Sequence, residues 1–308
     1  MSFSLTVLTL VLALFIAGGG TAATAEKKVK VIASFSILGD LTKNVGGDRI
    51  EMATLVGPNG DVHVYEPTPA DAKAIGGADL VVVNGLALEG WMDRLIKTSG
   101  YKGPVVVASQ GVKLRQMTAE ELGQGAKHGP LMIDPHAWQD VVNGRLYVQN
   151  IAKGLETVDP ASASVYRANA EAYVAKLSEL DQWVRKELSG IPKEKRRMIT
   201  THDAFGYFGA AYGISILSPV GFSTESEASA RDIANLINQI RREKITAVFV
   251  ENITDPRLME QVAKESGVTL GGTLYSDALS KPDGPAPTYL EMFKNNVTKI
   301  AAAMRKSI

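Results

Sequence analysis

Three of the four histidines in this chain, together with one aspartate, occupy positions where a metal ligand is expected. His63 follows a loop that contains Gly and Pro, and His136 lies in the stretch DPHAW. His202 ends the run at 197–201, and Asp277 follows the short run TLYS. Imidazole nitrogen combined with a carboxylate oxygen is the ligand set of a closed, four-coordinate site of the zinc type. We therefore predict that these four side chains bind one metal ion.

Taken singly, each of these histidines is more simply explained as a surface residue, because loops hold both solvated and functional side chains. Their joint placement favours the metal site. In open α/β sheets, ligands bind beyond the carboxyl ends of the strands, and His63, His202 and Asp277 each follow a predicted strand. Ligands drawn from both halves of the chain would place the metal in a cleft between two lobes.

The elements that must position these residues follow an α/β pattern. Short apolar runs alternate with stretches of helical periodicity, which is typical of parallel strands joined by helical crossovers. The predicted strands lie at 29–34, 51–56, 79–84, 104–108, 197–201, 214–217, 246–250 and 269–274. The strands at 79–84 and 104–108 read as continuous apolar runs, so we expect both of them to be buried.

The longest helical pattern, at 160–189, predicts a helix of about 45 Å, which exceeds the width of a small domain. We expect this rigid helix to join two similar lobes with largely parallel sheets. The predicted organisation is a signal peptide at 1–25, a first metal-binding lobe at 26–158, the connecting helix at 159–190 and a second metal-binding lobe at 191–308.

The N-terminal segment predicts export. Residues 5–17 are almost wholly apolar, and Ala23-Thr24-Ala25 supplies the small residues of a cleavage site after Ala25. A membrane anchor is the alternative, but the apolar run falls short of the ~20 residues that span a bilayer. The sequence has no Cys, so it offers neither a disulfide nor a lipid-bearing cysteine. We therefore expect the signal peptide to deliver the protein to the periplasm.

Four stretches resemble the ligand motifs of the zinc and manganese solute-binding proteins of ABC transporters (family 9, cluster A-I). They are DVHVYEPTPAD at 61–71, DPHAWQD at 134–140, THDAFGYF at 201–208 and TLYSD at 273–277. The resemblance covers nearly the whole chain after the signal peptide. It implies two α/β domains joined by one long helix, and the capture of a divalent transition metal for delivery to a membrane permease. It also implies a binding protein and not an enzyme.

The third motif bears on the choice of metal, because the resemblance implies that this position holds either His or Glu. Here it is His202, so three imidazoles and one carboxylate would leave one positive charge on a divalent site. Nitrogen-rich, four-coordinate sites suit zinc, and oxygen-rich sites of higher coordination suit manganese. We predict one zinc ion per chain. Manganese is the alternative, because both carboxylate oxygens of Asp277 could bind.

Other side chains near the motifs are weaker candidates. Glu66 is expected either to orient an imidazole or to form a salt bridge or cap. Trp138 and Phe205 are expected to pack beside the ligands and to exclude water. Many zinc proteins of the resembled family carry a long His-rich loop between the first two motifs, whereas this chain has only His128 there. His128 is then either a solvated loop residue or a transient ligand during metal entry.

Partners and alternative functions follow from the same observations. The formal net charge is +0, so no global field favours nucleic acid, and none is expected as a partner. The resemblance implies an ABC permease as partner, with a metal-donating chaperone as a further candidate, and a monomer is expected. An exported zinc-dependent hydrolase is the main alternative, although four protein ligands leave no open position for water. The other alternative function is that of a metallochaperone or adhesin that never meets a permease.

Overall fold

The computed structural model describes residues 27–116, 133–225 and 227–306. Its first lobe is built on four parallel strands: β1 (Val29–Phe35), β2 (Ile50–Val56), β3 (Leu80–Val83) and β4 (Val105–Val107). They are arranged in the order β2-β1-β3-β4. The helices of this lobe are α1 (Ser36–Gly46), α2 (Pro69–Gly76), α3 (Met92–Ser99) and α4 (Val141–Val158). Both α1 and α4 contact the sheet.

The local sequence explains where these elements lie. β3 consists of one Leu and three Val residues, all of them buried, as predicted for a strand covered on both faces. Thr68 caps α2, because its hydroxyl accepts the backbone N–H of Asp71 while the Asp71 carboxylate accepts the backbone N–H of Thr68. This reciprocal cap begins the helix directly after the loop that carries His63.

The prediction that β4 is a buried strand is wrong. Val105 and Val107 are 40% and 39% exposed. β4 lies at the edge of the sheet and pairs with β3 alone among the named strands. A short apolar run by itself does not distinguish an edge strand from a central one, because sheet order is set by contacts between distant segments.

A single long helix, α5 (Ala163–Ser189), follows the first lobe. Its 27 residues correspond to about 40 Å. Apart from Asp181, the buried residues recur every three or four positions along it: Tyr166, Ala170, Tyr173, Leu177, Leu180, Val184 and Leu188. With this buried side α5 packs against α1 and α4, and against the C-terminal helix α9 (Tyr289–Arg305).

The second lobe contains two small parallel sheets. Their strands are β5 (Arg197–Ile199), β6 (Ser215–Leu217), β7 (Ala247–Val248), β8 (Val250–Glu251) and β9 (Thr273–Leu274). One sheet has the order β6-β5-β7, and the other pairs β8 with β9. The remaining helices are α6 (Gly206–Tyr212), α7 (Ala230–Glu243) and α8 (Arg257–Ser266). The predicted fold class is confirmed: two α/β lobes with largely parallel sheets are joined by one long helix.

Two predicted strands of the second lobe differ from those observed. The strand predicted at 246–250 divides at Phe249 into β7 and β8, because the chain passes there from the sheet of β5 to the sheet of β9. The strand predicted at 269–274 is shortened to β9. Gly272 has a φ of 106°, which interrupts an extended run, and a side chain at Gly271 would collide with the ring of Phe249.

One continuous apolar core extends through both lobes and includes residues of β1, β3, α4, α5 and α9. A smaller cluster lies between α7, α8 and the second-lobe strands. None of the helices in the described residues has the length and the apolar character needed to cross a membrane. The predicted signal peptide at 1–25 and most of the loop at 111–133, including His128, lie outside the described residues.

Candidate metal centre

The four side chains predicted as metal ligands converge between the two lobes. The Nε2 atoms of His63 and His202 each lie 3.1 Å from Oδ2 of Asp277. The Nε2 atom of His136 lies 3.7 Å from the same oxygen and 3.4 Å from Nε2 of His63. All four ligand atoms lie within 4.8 Å of one another, and within the described ranges this is the one such group of His, Asp and Glu side chains.

The four side chains of this group are shielded from solvent. His136, His202 and Asp277 are fully buried, whereas His63 is 8% exposed. Burying ionisable groups is unfavourable unless they are paired or bound to a metal ion, so the charges of this buried group must be compensated by one another or by a metal ion. His63 lies on the side of the group that is nearest to solvent.

The topology of the sheets explains why these residues meet. His63, His202 and Asp277 follow β2, β5 and β9 respectively, beyond the carboxyl ends of these strands. The backbone N–H of His63 donates to Oδ1 of Asp61 at 2.9 Å, which holds the loop after β2. His136 comes from a different kind of element, since it directly precedes the 3₁₀ turn Ala137–Gln139.

Asp134 orients the ring of His136. Its Oδ1 lies 2.9 Å from Nδ1 of His136 and also accepts the backbone N–H of that residue at 2.9 Å. Its Oδ2 accepts a hydrogen bond of 2.9 Å from the guanidinium of Arg115. With Nδ1 held, the opposite ring nitrogen, Nε2, points into the group. This role of Asp134 was not predicted from the sequence, although its place two residues before a histidine was a usable signal.

Glu251 does the same for His202. Its Oε2 lies 2.7 Å from Nδ1 of His202, and its Oε1 accepts the backbone N–H of His202 at 2.9 Å. Both side chains are fully shielded from solvent. Glu251 was not predicted from the sequence, because 49 residues separate it from His202. The available signal was an acidic residue at the end of an otherwise apolar, buried strand.

The surrounding carboxylates change the protonation of the rings. Burial by itself lowers the pKa of His136, but Asp277 and Asp134 outweigh it and raise this pKa from 6.5 to about 9. Burial also lowers the pKa of His202, whereas Glu251 and Asp277 raise it well above 6.5. Burial raises the pKa of Asp277, but His136 and His202 hold it well below 3.8. At neutral pH the group therefore carries ring protons and an ionised carboxylate.

The weaker candidates occupy different surroundings. The ring of Trp138 meets that of His136 edge to face, with 5.2 Å between the ring centroids. Phe205, which follows His202 closely in the sequence, is buried. Glu66 is exposed, and the Nδ1 atoms of His136 and His202 are contacted by Asp134 and Glu251. A role of Glu66 in orienting an imidazole stays a prediction.

The segment that carries Asp277 is held from the first lobe. The carbonyl oxygen of Ser276 accepts hydrogen bonds from Nε1 of Trp138 at 3.0 Å and from Nε2 of Gln139 at 2.7 Å. Oδ1 of Asp277 is buried and, among the described residues, has no hydrogen-bond partner. This oxygen is free to become a second ligand atom from the same carboxylate.

Several separations within the group suit a small four-coordinate ion. Zinc–nitrogen bonds of about 2.0–2.1 Å would place neighbouring ligands of a tetrahedral site about 3.3 Å apart. Separations of 3.1, 3.4 and 3.7 Å lie around that distance, and all four atoms lie within 4.8 Å of one another. Fold and site together are those of a metal-binding protein, in which four side chains that could hold a metal ion converge between two α/β lobes.

Comparison with known proteins agrees with that class. Residues 31–303 match the family described as zinc-uptake complex component A, periplasmic. The chain therefore belongs to this family of proteins that capture metal for ABC importers.

Individual relatives resemble the chain over almost its whole length. The manganese ABC transporter substrate-binding lipoprotein PsaA of Streptococcus pneumoniae is 35% identical, over 96% of this chain and 98% of that protein. The iron-binding protein YfeA of Yersinia pestis is 35% identical, over 91% of this chain and 90% of its own length. The solved structure of the periplasmic zinc-binding protein TroA of Treponema pallidum superposes with a TM-score of 0.83 at 31% identity. That match covers 91% of this chain and all of TroA.

Proposed function

We propose that this protein captures one divalent transition metal ion, zinc in preference to manganese, and delivers it to an ABC permease. The supporting observation is the convergence of three imidazole nitrogens and one carboxylate oxygen in a buried group. His63, His136, His202 and Asp277 are the proposed ligands. Nitrogen-rich sites with four protein ligands suit zinc better than manganese, which prefers oxygen and higher coordination.

Manganese is the second candidate, and one observation favours it. Oδ1 of Asp277 is buried and unpartnered among the described residues, so a metal that accepts a fifth ligand atom would find one in place. The relatives carry names that refer to manganese, iron and zinc, so kinship by itself does not select the ion. Selectivity then depends on His202, the nitrogen ligand at the position where the resemblance allows Glu.

We further propose that the protein is a binding protein and not a hydrolase. A catalytic zinc site commonly has three protein ligands and leaves one position for water or substrate. Here four protein side chains surround the centre, and three of them are fully buried. Bound metal would have no position left at which to activate water.

The location and partners are proposed on the same basis. The signal peptide at 1–25 would export the chain to the periplasm, where an ABC permease receives the metal. Some relatives are named lipoproteins, but this sequence has no Cys to carry a lipid. All four proposed ligands come from one chain, which is consistent with a monomer. A metal-donating chaperone stays a prediction.

Titration of the metal-free protein tests this proposal. Zinc should saturate the protein at about one equivalent, and manganese should displace it only at large excess. Asp277→Asn should abolish tight binding, whereas Asp255→Asn should not, because Asp255 is exposed and pairs with Arg257. A reproducible second tight site, or steady metal-dependent turnover of a hydrolysable substrate, would contradict it.

A further inference from the structure

A turn of unusual backbone conformation lies directly after β3. Three successive residues, Gly85, Leu86 and Ala87, have φ values of 82°, 55° and 63°. Residues with a side chain seldom adopt positive φ, and two neighbours that do so store strain. Such a conformation persists only where surrounding contacts hold it, so the contacts of this turn need an explanation.

The buried carboxylate of Glu89 holds the turn. Its Oε1 accepts the backbone N–H of Asn84 and the hydroxyl of Ser34, each at 2.6 Å. Its Oε2 accepts the backbone N–H of Gly85 at 3.2 Å. Burial raises the pKa of Glu89, whereas the hydrogen bonds from Ser34, Asn84 and Gly85 act against that shift. Three hydrogen bonds thus converge on one side chain.

The two ends of this segment reach the two histidines of the first lobe. Asn84 donates from Nδ2 to the carbonyl oxygen of Pro135 at 2.9 Å, and its own Oδ1 accepts the hydroxyl of Tyr147 at 2.5 Å. Trp91 donates from Nε1 to the carbonyl oxygen of Val62 at 2.8 Å. Pro135 and Val62 are the residues immediately before His136 and His63. Each hydrogen bond therefore restrains the peptide unit that leads into an imidazole.

We propose that residues 84–91 form a bracket that positions both first-lobe imidazoles for metal, with Glu89 as the positioning residue of the bracket. The inference rests on the proposed function, because it assigns His63 and His136 as ligands. Holding the rings before metal arrives removes the cost of ordering them during binding, and affinity rises accordingly. The strained turn is the means by which one segment reaches two separate carbonyl groups.

The sharpest test removes one restraint at a time. Trp91→Phe deletes the indole N–H but keeps an aromatic ring, so zinc should bind about three- to tenfold more weakly, the value of one buried hydrogen bond. The same substitution should have no effect in a His63→Ala background, where the ring that it positions is absent. It should keep its full effect in a His136→Ala background. Zinc affinity is measured by competition with a chelator.

Glu89→Gln tests the bracket as a whole. The amide replaces one acceptor by a donor that faces backbone N–H groups, so the turn loses its support. Zinc affinity should fall in both the His63→Ala and the His136→Ala backgrounds, because one restrained ring remains in each. Trp183→Phe is the matched control for Trp91→Phe, since Trp183 lies on α5, partly exposed, and packs against the core. It should leave zinc binding unchanged.

The outcomes separate two failures. If the unaltered protein binds no zinc, the proposed function fails. If it binds zinc but Trp91→Phe costs the same affinity with and without His63, or costs none, the bracket is overturned and the segment serves the fold alone. Loss that disappears only in the His63→Ala background supports the bracket.

Discussion

Nδ1 of His202 lies 2.7 Å from Oε2 of Glu251, at the end of a strand in the neighbouring small sheet. Glu251 also binds the backbone N–H of His202, so it fixes both the ring and the peptide that carries it. Asp134 makes the same pair of contacts with His136. In each lobe a buried carboxylate thus turns one imidazole so that its Nε2 faces the shared centre.

Replacing Glu251 by Gln should weaken zinc binding about 10- to 100-fold, the usual effect of losing a group that orients a metal ligand. The side chain keeps its size, but the negative charge beside Nδ1 of His202 is lost. Equilibrium competition with a chelator measures the change. Glu243→Gln is the matched control, because Glu243 pairs with Arg197 on the surface, and it should bind zinc normally. Equal affinity of the two variants would refute the role of Glu251.

Metal binding should release about two protons per ion near neutral pH. The raised pKa values of His136, about 9, and of His202 keep both rings protonated in the metal-free protein, whereas a metal requires neutral rings. Affinity should therefore decline as pH falls through about 9, well above the 6.5 of an ordinary histidine. Calorimetry in buffers of different ionisation enthalpy counts the protons.

The same shifts predict how the metal-free protein responds to pH. A histidine whose pKa is raised by folding stabilises the fold fully below pH 6.5, and this contribution is lost as pH rises through about 9. Metal-free protein should therefore unfold at lower temperature at pH 9.5 than at pH 6, and His136→Gln should reduce that difference. If zinc binding at pH 7 releases no protons, the rings of His136 and His202 are already neutral in the metal-free protein, and both pH predictions fail.

Selectivity should respond to His202 only when Glu251 is changed as well. His202→Glu by itself would set two carboxylates against each other where a ring nitrogen and a carboxylate now lie 2.7 Å apart. The single variant should lose stability and affinity for both metals. The double variant His202→Glu/Glu251→Gln removes the repulsion and should move the ratio of zinc to manganese dissociation constants towards manganese, on the order of tenfold. An unchanged ratio in the double variant would show that residue 202 is not a ligand.

The two lobes should keep nearly the same orientation with and without metal. The backbone of α5 is a continuous helix, and the segment around Asp277 is bonded to the first lobe as well as to its own. Leu279 donates its N–H to the hydroxyl of Ser36 and accepts the N–H of Asn59, each at 2.9 Å. Small-angle scattering should show no resolvable change in radius of gyration when zinc is added.

Hydrogen exchange should locate the motion that does occur. Metal should protect the loop that carries His63 and the loop at 221–225, whereas the amide of Leu279 should be protected in both states. Fast exchange of residues 276–279 in the metal-free protein, or a large lobe rotation, would contradict this picture. With that contradicting result, metal release would start at Asp277 and not at His63, which is the more exposed of the two residues.

The amino-acid sequence by itself determined the candidate ligands and most of the scaffold. Four separated motifs predicted that His63, His136, His202 and Asp277 form one group, because the chemistry of a metal ligand is carried by one residue and the turn around it. The periodicity of buried residues also predicted α5, because helical amphipathicity is a local property that repeats along the chain.

Only the tertiary structure decided which groups act on those ligands. Glu251 and His202, or Trp91 and Val62, are distant in sequence, and their contacts depend on strand order and on how loops meet. Strand order also made β4 an edge strand and divided one apolar run at Phe249. Local pattern does not encode these outcomes, because hydrogen bonds between distant segments form only when the whole core packs.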